Sequence, residues 1–329
     1  MKMAEKTPPK KHLIIATRGS ALALWQADYV TSLLKDRGVS AVKLVIKTTG
    51  DRIQDRFLHE IGGKGLFVRE IEQALQDGKA DLAIHSLKDM PAKVLPAFTL
   101  AAILKRHESD DLFIMRDSYR TDVTVPGVIK PDFIQQFGGM TVGTGSLRRQ
   151  SILAKFAPEI KTVAIRGNVD TRIRKLQEGE WDAIILAHAS IERLGIKGLR
   201  SAPLATDWFI PSPSQGALAI ECRAGDPVAD WLRILNCNET ESAVTVERRV
   251  LARLGGDCTM PFACIVKPVN GAVSGHAAVY GKNGSVAETQ KTISTLDGNI
   301  EAFANTLIAG LMKAGAEVVL RSIGLKLPN

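Results

Sequence analysis

The most constraining feature of this sequence is an alternation of strand-like and helix-like segments that occurs twice. In each copy an apolar run is followed by an amphipathic stretch, and the order β–α–β–α–β results. The two copies even share a junction before their last strand: residues 75–81 read LQDGKAD and residues 176–182 read LQEGEWD. Because alternating strands and helices build sheets that are covered by helices, the pattern predicts two doubly wound α/β lobes.

Each copy can be divided into its elements. The first comprises strand 13–16, helix 21–35, strand 42–48, helix 66–76 and strand 81–84; the second comprises strand 140–142, a helix, strand 162–165, helix 170–177 and strand 181–186. Ligands of such sheets bind beyond the carboxyl ends of the strands. We therefore expect the following residues on the rims of the lobes, facing one cleft: Arg18, Ser20, Lys88, Asp89, Ser146, Arg148, Arg149 and Arg166. Ser20 is also a suitable N-cap for the first helix.

The rest of the chain does not alternate. An apolar strand at 217–222 follows a proline-rich stretch, and we expect it to return to the sheet of the first lobe. Strands at about 262–269, 272–280 and 286–294 lie between helices 241–254 and 299–313, which predicts a small α+β domain. The predicted organisation is a disordered leader 1–11, lobe 1 at 12–106 with a return strand at about 217–235, lobe 2 at 107–214 and the third domain at 236–329.

Composition excludes several classes of protein. Hydrophobic residues make up 45% and charged residues 24% of the 329 residues, as in an ordinary globular chain, and no apolar run is long enough for a membrane span. The net charge of +8 would suit a nucleic-acid partner, but aromatic residues make up only 5%, so platforms for base stacking are scarce. Four cysteines without CxxC spacing predict neither a disulfide framework nor a zinc site, so we expect no metal and a cytoplasmic protein.

The segment 140–177 concentrates positive charge, with eight Lys or Arg and only two acids. Two of its arginines, Arg148 and Arg149, directly follow a Gly-Thr-Gly-Ser turn at the predicted start of a helix. Free backbone N–H groups at such a turn favour an anion, and guanidinium forks match carboxylates or phosphates. A solvated basic face is the more common meaning of a charge run, but the ordered turn favours a site for several anionic groups.

Two further residues are candidates for chemistry. Asp89 follows Lys88 at the end of a strand, where catalytic groups are often found, although an Asp before Met90-Pro91 also suits a turn. Cys258 lies in a Gly-Gly-Asp-Cys loop that leaves its sulfur approachable, although most free cysteines are small buried residues. We interpret His85 as a structural histidine, and Cys222 and Cys264 as structural cysteines within apolar strands.

A series of motifs resembles the porphobilinogen deaminase (hydroxymethylbilane synthase) family over nearly the whole chain, from Ile14 to about Val279. Each motif is weak alone, but their order and spacing together are highly specific. They are RGSALALWQ at 18–26, GGKGLF at 62–67, HSLKDMP at 85–91, GTGSLRRQ at 143–150, RGNVDTR at 166–172, QGA at 215–217 and GGDC at 255–258.

The resemblance implies a transferase of tetrapyrrole biosynthesis whose first two domains are similar to type II periplasmic binding proteins. Its cofactor would be a dipyrromethane joined by a thioether to Cys258, an anchor that does not turn over. Four porphobilinogen units would be added head to tail, each with loss of ammonia, before hydroxymethylbilane is released. Asp89 would stabilise the cationic azafulvene formed when ammonia leaves. We expect a monomer that binds neither nucleic acid nor membrane.

The many carboxylates of a growing pyrrole chain account for the basic residues. The resemblance assigns the cofactor's carboxylates to Lys88, Ser146, Arg148 and Arg149, and the substrate and growing chain to Arg18, Ser20, Lys64, Arg166, Arg172 and Arg193. An alternative is a two-lobed binding or sensing protein for anionic solutes, which would not need the third domain with Cys258. The segment Asp117–Gly139 is longer than the family pattern and is predicted to be a surface loop.

Overall fold

The computed structural model describes residues 8–49, 68–119, 127–256, 260–281 and 284–327. Lys64, Cys258 and most of the predicted leader lie outside this part of the chain. Thirteen strands are found in the described residues. They are β1 (His12–Arg18), β2 (Ser40–Ile46), β3 (Leu82–Ser86), β4 (Phe98–Ile103), β5 (Asp111–Met115), β6 (Thr141–Gly143), β7 (Lys161–Val163), β8 (Ala183–Ala187), β9 (Arg200–Leu204), β10 (Leu218–Arg223), β11 (Phe262–Val269), β12 (Ala272–Tyr280) and β13 (Val286–Ile293).

The helices of the same residues match most of the predicted ones. They are α1 (Ala21–Lys35), α2 (Arg69–Gln76), α3 (Pro131–Ile134), α4 (Leu147–Phe156), α5 (Val169–Gln177), α6 (His188–Arg193), α7 (Pro227–Leu232), α8 (Asn238–Arg253), α9 (Ile300–Lys313) and α10 (Ala316–Ser322). Helix α1 has the predicted bounds, and the Ser20 side chain accepts a hydrogen bond from Ala23 N. Its predicted role as N-cap is therefore confirmed.

The chain divides into two compact units, Met1–Arg106 with Ala217–Glu241, and His107–Gly216 with Ser242–Asn329. The first unit has one five-stranded sheet in the order β2-β1-β3-β10-β4. Strands β1, β2 and β3 are parallel, and β10 runs antiparallel between β3 and β4. The prediction that the apolar strand after the proline-rich stretch returns to this sheet is thus confirmed.

The second unit repeats this arrangement in a sheet of order β7-β6-β8-β5-β9. Here β5 occupies the position that β10 has in the first sheet, and it is antiparallel to both β8 and β9. The sequence prediction missed β5 and β9, because neither belongs to the repeated alternation. The two sheets confirm the predicted α/β fold class of two doubly wound lobes.

A third, antiparallel sheet of order β11-β12-β13 also belongs to the second unit, together with α9 and α10. Its residues Ala263, Ile265 and Tyr280 share one apolar core with Phe113 and Phe137 of the α/β part. Because this core is continuous, the small α+β domain and the second lobe form one compact unit.

One prediction about this unit is wrong. The segment Asp117–Gly139 was expected to be a surface loop, but its described end enters the core. Ile129, Ile134 and Phe137 are buried, and Ile129 N donates to Pro203 O at 2.8 Å beside β9. These apolar side chains lack a regular period, which is why the sequence pattern did not reveal their burial.

No single helix in the described part of the chain combines the length and apolar character that a membrane crossing requires. The bent pair of α9 and α10, which meet at 66°, passes such a test only when taken together.

Candidate active site

The first unit carries a pocket at the carboxyl ends of β1 and β3. Arg18 ends β1, Ser20 caps α1, and both line the pocket with His85, Ser86 and Asp89. Parallel strands β1 and β3 are neighbours, so residues that follow them meet at one edge of the sheet. The sequence had placed Arg18, Ser20 and Asp89 at this rim, and the structure brings them together.

Asp89 lies in a single 3-10 turn, Leu87–Asp89, directly after β3. Leu87 is buried and its N–H donates to Ala217 O at 3.0 Å, so the start of the return strand holds the turn. Met90 is buried on the other side. The Asp89 side chain is left exposed between these two anchors, and Lys88 is half-buried. A carboxylate held on a fixed turn at a pocket edge is able to contact a bound ligand.

A buried polar contact supports the floor of the pocket. Gln26 of α1 donates from Nε2 to Ser86 Oγ at 2.8 Å, and Gln26 is almost fully buried. This bond joins the helix that begins at Ser20 to the strand that ends before Asp89. It therefore fixes the distance between the two halves of the rim.

Three titratable side chains interact beside this pocket, which His85 lines. His85 Nε2 and Glu221 Oε2 are 2.9 Å apart, and both side chains are buried. Burial, and then the charge of Glu221, raise the pKa of Glu72 to about 7, while His85 and Arg69 oppose the rise. His85 has the structural hydrogen bond that was predicted for it. Glu72 and Glu221 were not identified from the sequence, because each looks like an ordinary Glu in a helix or strand.

In the second unit, the turn between β6 and α4 needs small residues. A side chain at Gly143 would place its Cβ 2.7 Å from Ile165 Cγ2, and one at Gly145 would lie 3.0 Å from Ile165 O. Ser146 precedes α4 and is half-buried, but its side chain does not cap the helix. The free N–H groups at this helix start and the Ser146 hydroxyl together provide donors for an anion.

Arg148 and Arg149, in the first turn of α4, are both buried and share one carboxylate. Asp111, at the start of β5, is 2.6 Å from Arg148 Nη2 and 2.7 Å from Arg149 Nη2. Each guanidinium also donates to a carbonyl, Arg148 to Ile210 O at 2.7 Å and Arg149 to Ile185 O at 2.8 Å. The terminal nitrogens of Arg148 and Arg149, which were predicted to bind ligand carboxylates, thus already donate to acceptors of the protein itself.

Asp111 is the centre of this network. Burial opposes its ionisation, but the charges of Arg148 and Arg149 outweigh burial and hold the pKa of Asp111 well below 3.8. Gln215 also donates to Asp111 Oδ1, at 2.9 Å. Two guanidinium charges against one carboxylate leave an excess of positive charge. Asp111 was not predicted as a site residue, because acids are common at strand ends.

The remaining predicted arginines differ in their surroundings. Arg193 is buried and donates to Gly216 O at 2.6 Å, so it holds the chain just before the return strand. Arg172 is half-buried and donates from Nε to Gly167 O at 2.8 Å. Arg166 is half-buried near the end of β7. Arg166 and Arg172 therefore lie at the carboxyl edge of the second sheet, whereas Arg193 has a structural contact.

Comparison with known proteins identifies the family. A family model described as "Porphobilinogen deaminase, dipyromethane cofactor binding domain" matches residues 13–230. The chain belongs to the porphobilinogen deaminase family. A porphobilinogen deaminase of Ralstonia nicotianae is 39% identical over 333 residues, which cover 99% of this chain and 95% of that one. One of Nitratidesulfovibrio vulgaris is 46% identical over 256 residues, 77% of each chain.

Two binding proteins of known structure are distantly similar to this chain. Substrate-binding domain 2 of Lactococcus lactis GlnP is 16% identical, covers 69% of this chain and 88% of its own, and has a TM-score of 0.43. An ancestral cationic amino acid solute-binding protein is 12% identical with a TM-score of 0.41, covering 74% of this chain and 91% of its own.

The donors of the second unit fit the carboxylates of a dipyrromethane. Arg148 Nε and Arg149 Nε are buried and have no hydrogen-bond partner within the described ranges. Burying an N–H without a partner costs about 1–3 kcal/mol, so a ligand oxygen near these atoms would be stabilising. Together with the Ser146 hydroxyl and the helix start, they form a donor set suited to an acidic cofactor.

Proposed function

We propose that this chain deaminates porphobilinogen and joins four units head to tail on a dipyrromethane primer, releasing hydroxymethylbilane for tetrapyrrole biosynthesis. The observation that carries the proposal is the presence, in a porphobilinogen deaminase chain, of an exposed Asp89 on a fixed turn beside Arg18 and Ser20. The substrate bears an acetate, a propionate and an aminomethyl group. The chemistry therefore needs cationic groups for the carboxylates and one anion for the reacting ring.

Asp89 is the proposed catalytic residue. When ammonia leaves the aminomethyl carbon, positive charge develops on the pyrrole ring. A carboxylate at the ring N–H stabilises that charge where it forms, and we expect its removal to cost as much as the loss of an oxyanion-hole donor, about 10²–10³ in rate. The anchored Leu87 and Met90 hold the turn of Asp89 in place, so little reorganisation is needed during the reaction.

The second unit would hold the primer. We assign its carboxylates to Ser146, Arg148 and Arg149, with Lys88 of the first unit. When bound, the dipyrromethane supplies the pyrrole carbon to which the first substrate unit is joined. Hydrogen bonds to charged groups contribute about 1.5–3 kcal/mol each. Several of them, supported by Asp111 behind the guanidiniums, would give firm and oriented binding.

Cys258 is the proposed covalent anchor, through a thioether to the primer. The other cysteines are less suited to this role. Burial raises the pKa of the Cys222 thiol to about 12, so its reactive thiolate is scarce at neutral pH. Cys264 is fully buried in β11, and Cys237 accepts a hydrogen bond from Thr240 Oγ1. The Gly-rich loop of Cys258 leaves that sulfur as the best candidate.

The substrate and the growing chain would be bound by residues on both rims. We assign them to Arg18, Ser20, Lys64, Arg166, Arg172 and Arg193. Arg193 is the weakest of these assignments in physical terms, because one of its terminal nitrogens donates to Gly216 O. We further propose a cytoplasmic monomer without nucleic-acid or membrane partners. Sedimentation of the purified chain tests the monomer directly.

Mass spectrometry tests the primer. The intact purified protein should exceed its sequence mass by two linked pyrrole units, and the excess should map to the peptide with Cys258. Cys258→Ser should lose the excess, whereas the matched control Cys237→Ser should keep it. An active protein with an unmodified Cys258 would refute the anchor.

Turnover tests the catalytic assignment. Asp89→Asn should keep the fold and the bound primer but lose at least about 10²-fold in turnover, because the neutral amide cannot stabilise the cation. Asp77→Asn, an exposed acid at the end of α2, should behave like the wild type. Near-normal rates for Asp89→Asn would exclude the proposed role.

A further inference from the structure

The cluster of Glu72, His85 and Glu221 is not explained by the proposed roles. His85 and Glu221 are on neighbouring antiparallel strands, where His85 pairs with Ala219 and Ala83 pairs with Glu221. Residues two apart in a strand point to the same side, so both side chains share the face of Ala83. That face packs against α2, since Ala83 contacts the core residues Ile71 and Leu75.

The charges of this cluster do not balance. Two carboxylates lie beside one imidazole, and Arg69 at the start of α2 is the other cation acting on Glu72. The Oε1 atom of Glu221 is buried and has no hydrogen-bond partner in the described part of the chain. The half-buried Glu72 and the fully buried Glu221 therefore depend on the same imidazole for their compensation. The raised pKa of Glu72, about 7, places one exchange of a proton near neutral pH.

The cluster also reaches the pocket. His85 lines it, together with Ile71, Asp89 and Arg18. In the described residues, the one hydrogen bond of the His85 ring is the bond of Nε2 to Glu221. This contact orients the imidazole, which lines the pocket, so a ligand in the pocket would lie beside the ring. An imidazole backed by a carboxylate is a common arrangement for moving a proton.

We propose that Glu72, His85 and Glu221 form a proton-holding cluster, in which His85 accepts the proton that the pyrrole carbon loses at each coupling step. This inference rests on the proposed function. In the coupling step the new C–C bond forms at that carbon, its C–H bond then breaks, and the electron pair restores the aromatic ring. The proton passes to His85 and is shared with the two carboxylates.

The cycle balances without any other reactant. The substrate enters as an alkylammonium ion and its C–N bond breaks, so that ammonia is released. The proton taken from the pyrrole carbon then leaves the cluster, and ammonia with this proton equals one ammonium ion. The cluster returns to its starting protonation before the next unit is added. His85 is the proposed catalytic residue of the three, while Glu72 and Glu221 are positioning residues.

The pH dependence of turnover tests the cluster. In the wild type, kcat should rise with pH through an ionisation near pH 7. Glu72→Gln removes the carboxyl group whose pKa is raised to about 7, so this limb of the profile should move by about half a pH unit or more. Asp77→Asn removes an exposed acid at the end of the same helix and should leave the limb in place. A Glu72→Gln profile that superimposes on that of the wild type would overturn the proposal.

A second variant tests His85 itself. Gln can still bond to Glu221 but cannot take up a proton, so His85→Gln should lower kcat by about 10²-fold while KM and the mass of the bound primer stay unchanged. A fall of less than threefold would also overturn the proposal. Asp89→Asn serves as the reference: if it is inactive while the cluster variants are normal, only this inference fails and the proposed function stands.

Discussion

Asp111 offers the sharpest test of how the basic rim is stabilised. Its two oxygens lie 2.6 Å and 2.7 Å from the guanidiniums of Arg148 and Arg149, and its side chain is fully buried. Asp111→Asn keeps the shape and removes the charge, leaving two buried guanidiniums beside each other. Breaking a buried ion pair on one side costs about 3–5 kcal/mol. We expect the second unit to lose stability by this amount.

The chain offers a matched control in Asp207. Its carboxylate is also 2.6 Å from a cation, Lys130, but the two side chains are 64% and 54% exposed. Exposed pairs contribute about 1 kcal/mol or less. Asp207→Asn should therefore lower the stability of the second unit only slightly, although its ion pair has the same length as the pair of Asp111 with Arg148.

Hydrogen exchange measures the difference locally. Amide protection in β5 and β8 should fall strongly in Asp111→Asn and remain in Asp207→Asn. The depressed pKa of Asp111 gives a second readout. The contribution of its carboxylate to the stability of the fold is fully present above the ordinary pKa of 3.8, and it is lost only as the pH falls through the lower pKa of the folded state. Equal losses for the two variants at pH 7 would refute the argument that burial makes this ion pair strong.

Three other substitutions test separate features. Glu72→Gln should stabilise the first unit at pH 8 but hardly at pH 5. The fold favours the protonated form of Glu72, whose pKa is about 7, so above this pH the ionised carboxylate destabilises the fold. The substitution removes that cost. The rise of its pKa from 4.5 corresponds to roughly 3.4 kcal/mol, and screening by solvent at this half-buried group reduces the effect to about 1–2 kcal/mol. Equal gains in stability at both pH values in a urea titration would contradict this prediction. Gly216→Ala should cost about 2 kcal/mol or more, since φ is +87° and a Cβ would lie 2.6 Å from His107 O. The control Gly195→Ala, where φ is +62° and the space around the Cβ is open, should cost about 1 kcal/mol. Similar urea midpoints for the two variants would show that the contact with His107 O does not add to the cost. Ser20→Ala should lower the stability by about 1 kcal/mol through loss of the N-cap. The control Ser32→Ala, at an exposed position in the same helix, should have almost no effect on stability. An unchanged thermal midpoint for Ser20→Ala would show that the cap does not stabilise α1.

The sequence predicted the elements that repeat a local pattern. Helix α1 was found with the predicted bounds, and β11 and β12 coincide with the predicted strands. Periodicity, caps and glycines are properties of neighbouring residues, so they can be recognised along the chain. Strands β5 and β9 were missed, since their pairing is with distant strands.

The candidate site divides in the same way. Order and spacing of motifs were sufficient to identify the family, whereas the roles of Asp89, Arg18 and the arginines of α4 stay predictions. Their partners were not predictable. Whether a guanidinium is open to a ligand or already holds a carboxylate depends on burial, which a motif does not contain.

The sequence by itself thus determined the two α/β lobes, the third domain and the family to which the chain belongs. The tertiary structure alone decided which acids meet which cations. Asp111 and Arg148 are 37 residues apart, and His85 and Glu221 are 136 apart. Such pairs form because sheet register and burial bring them together, and the low dielectric inside the fold then makes each charge depend on its neighbour.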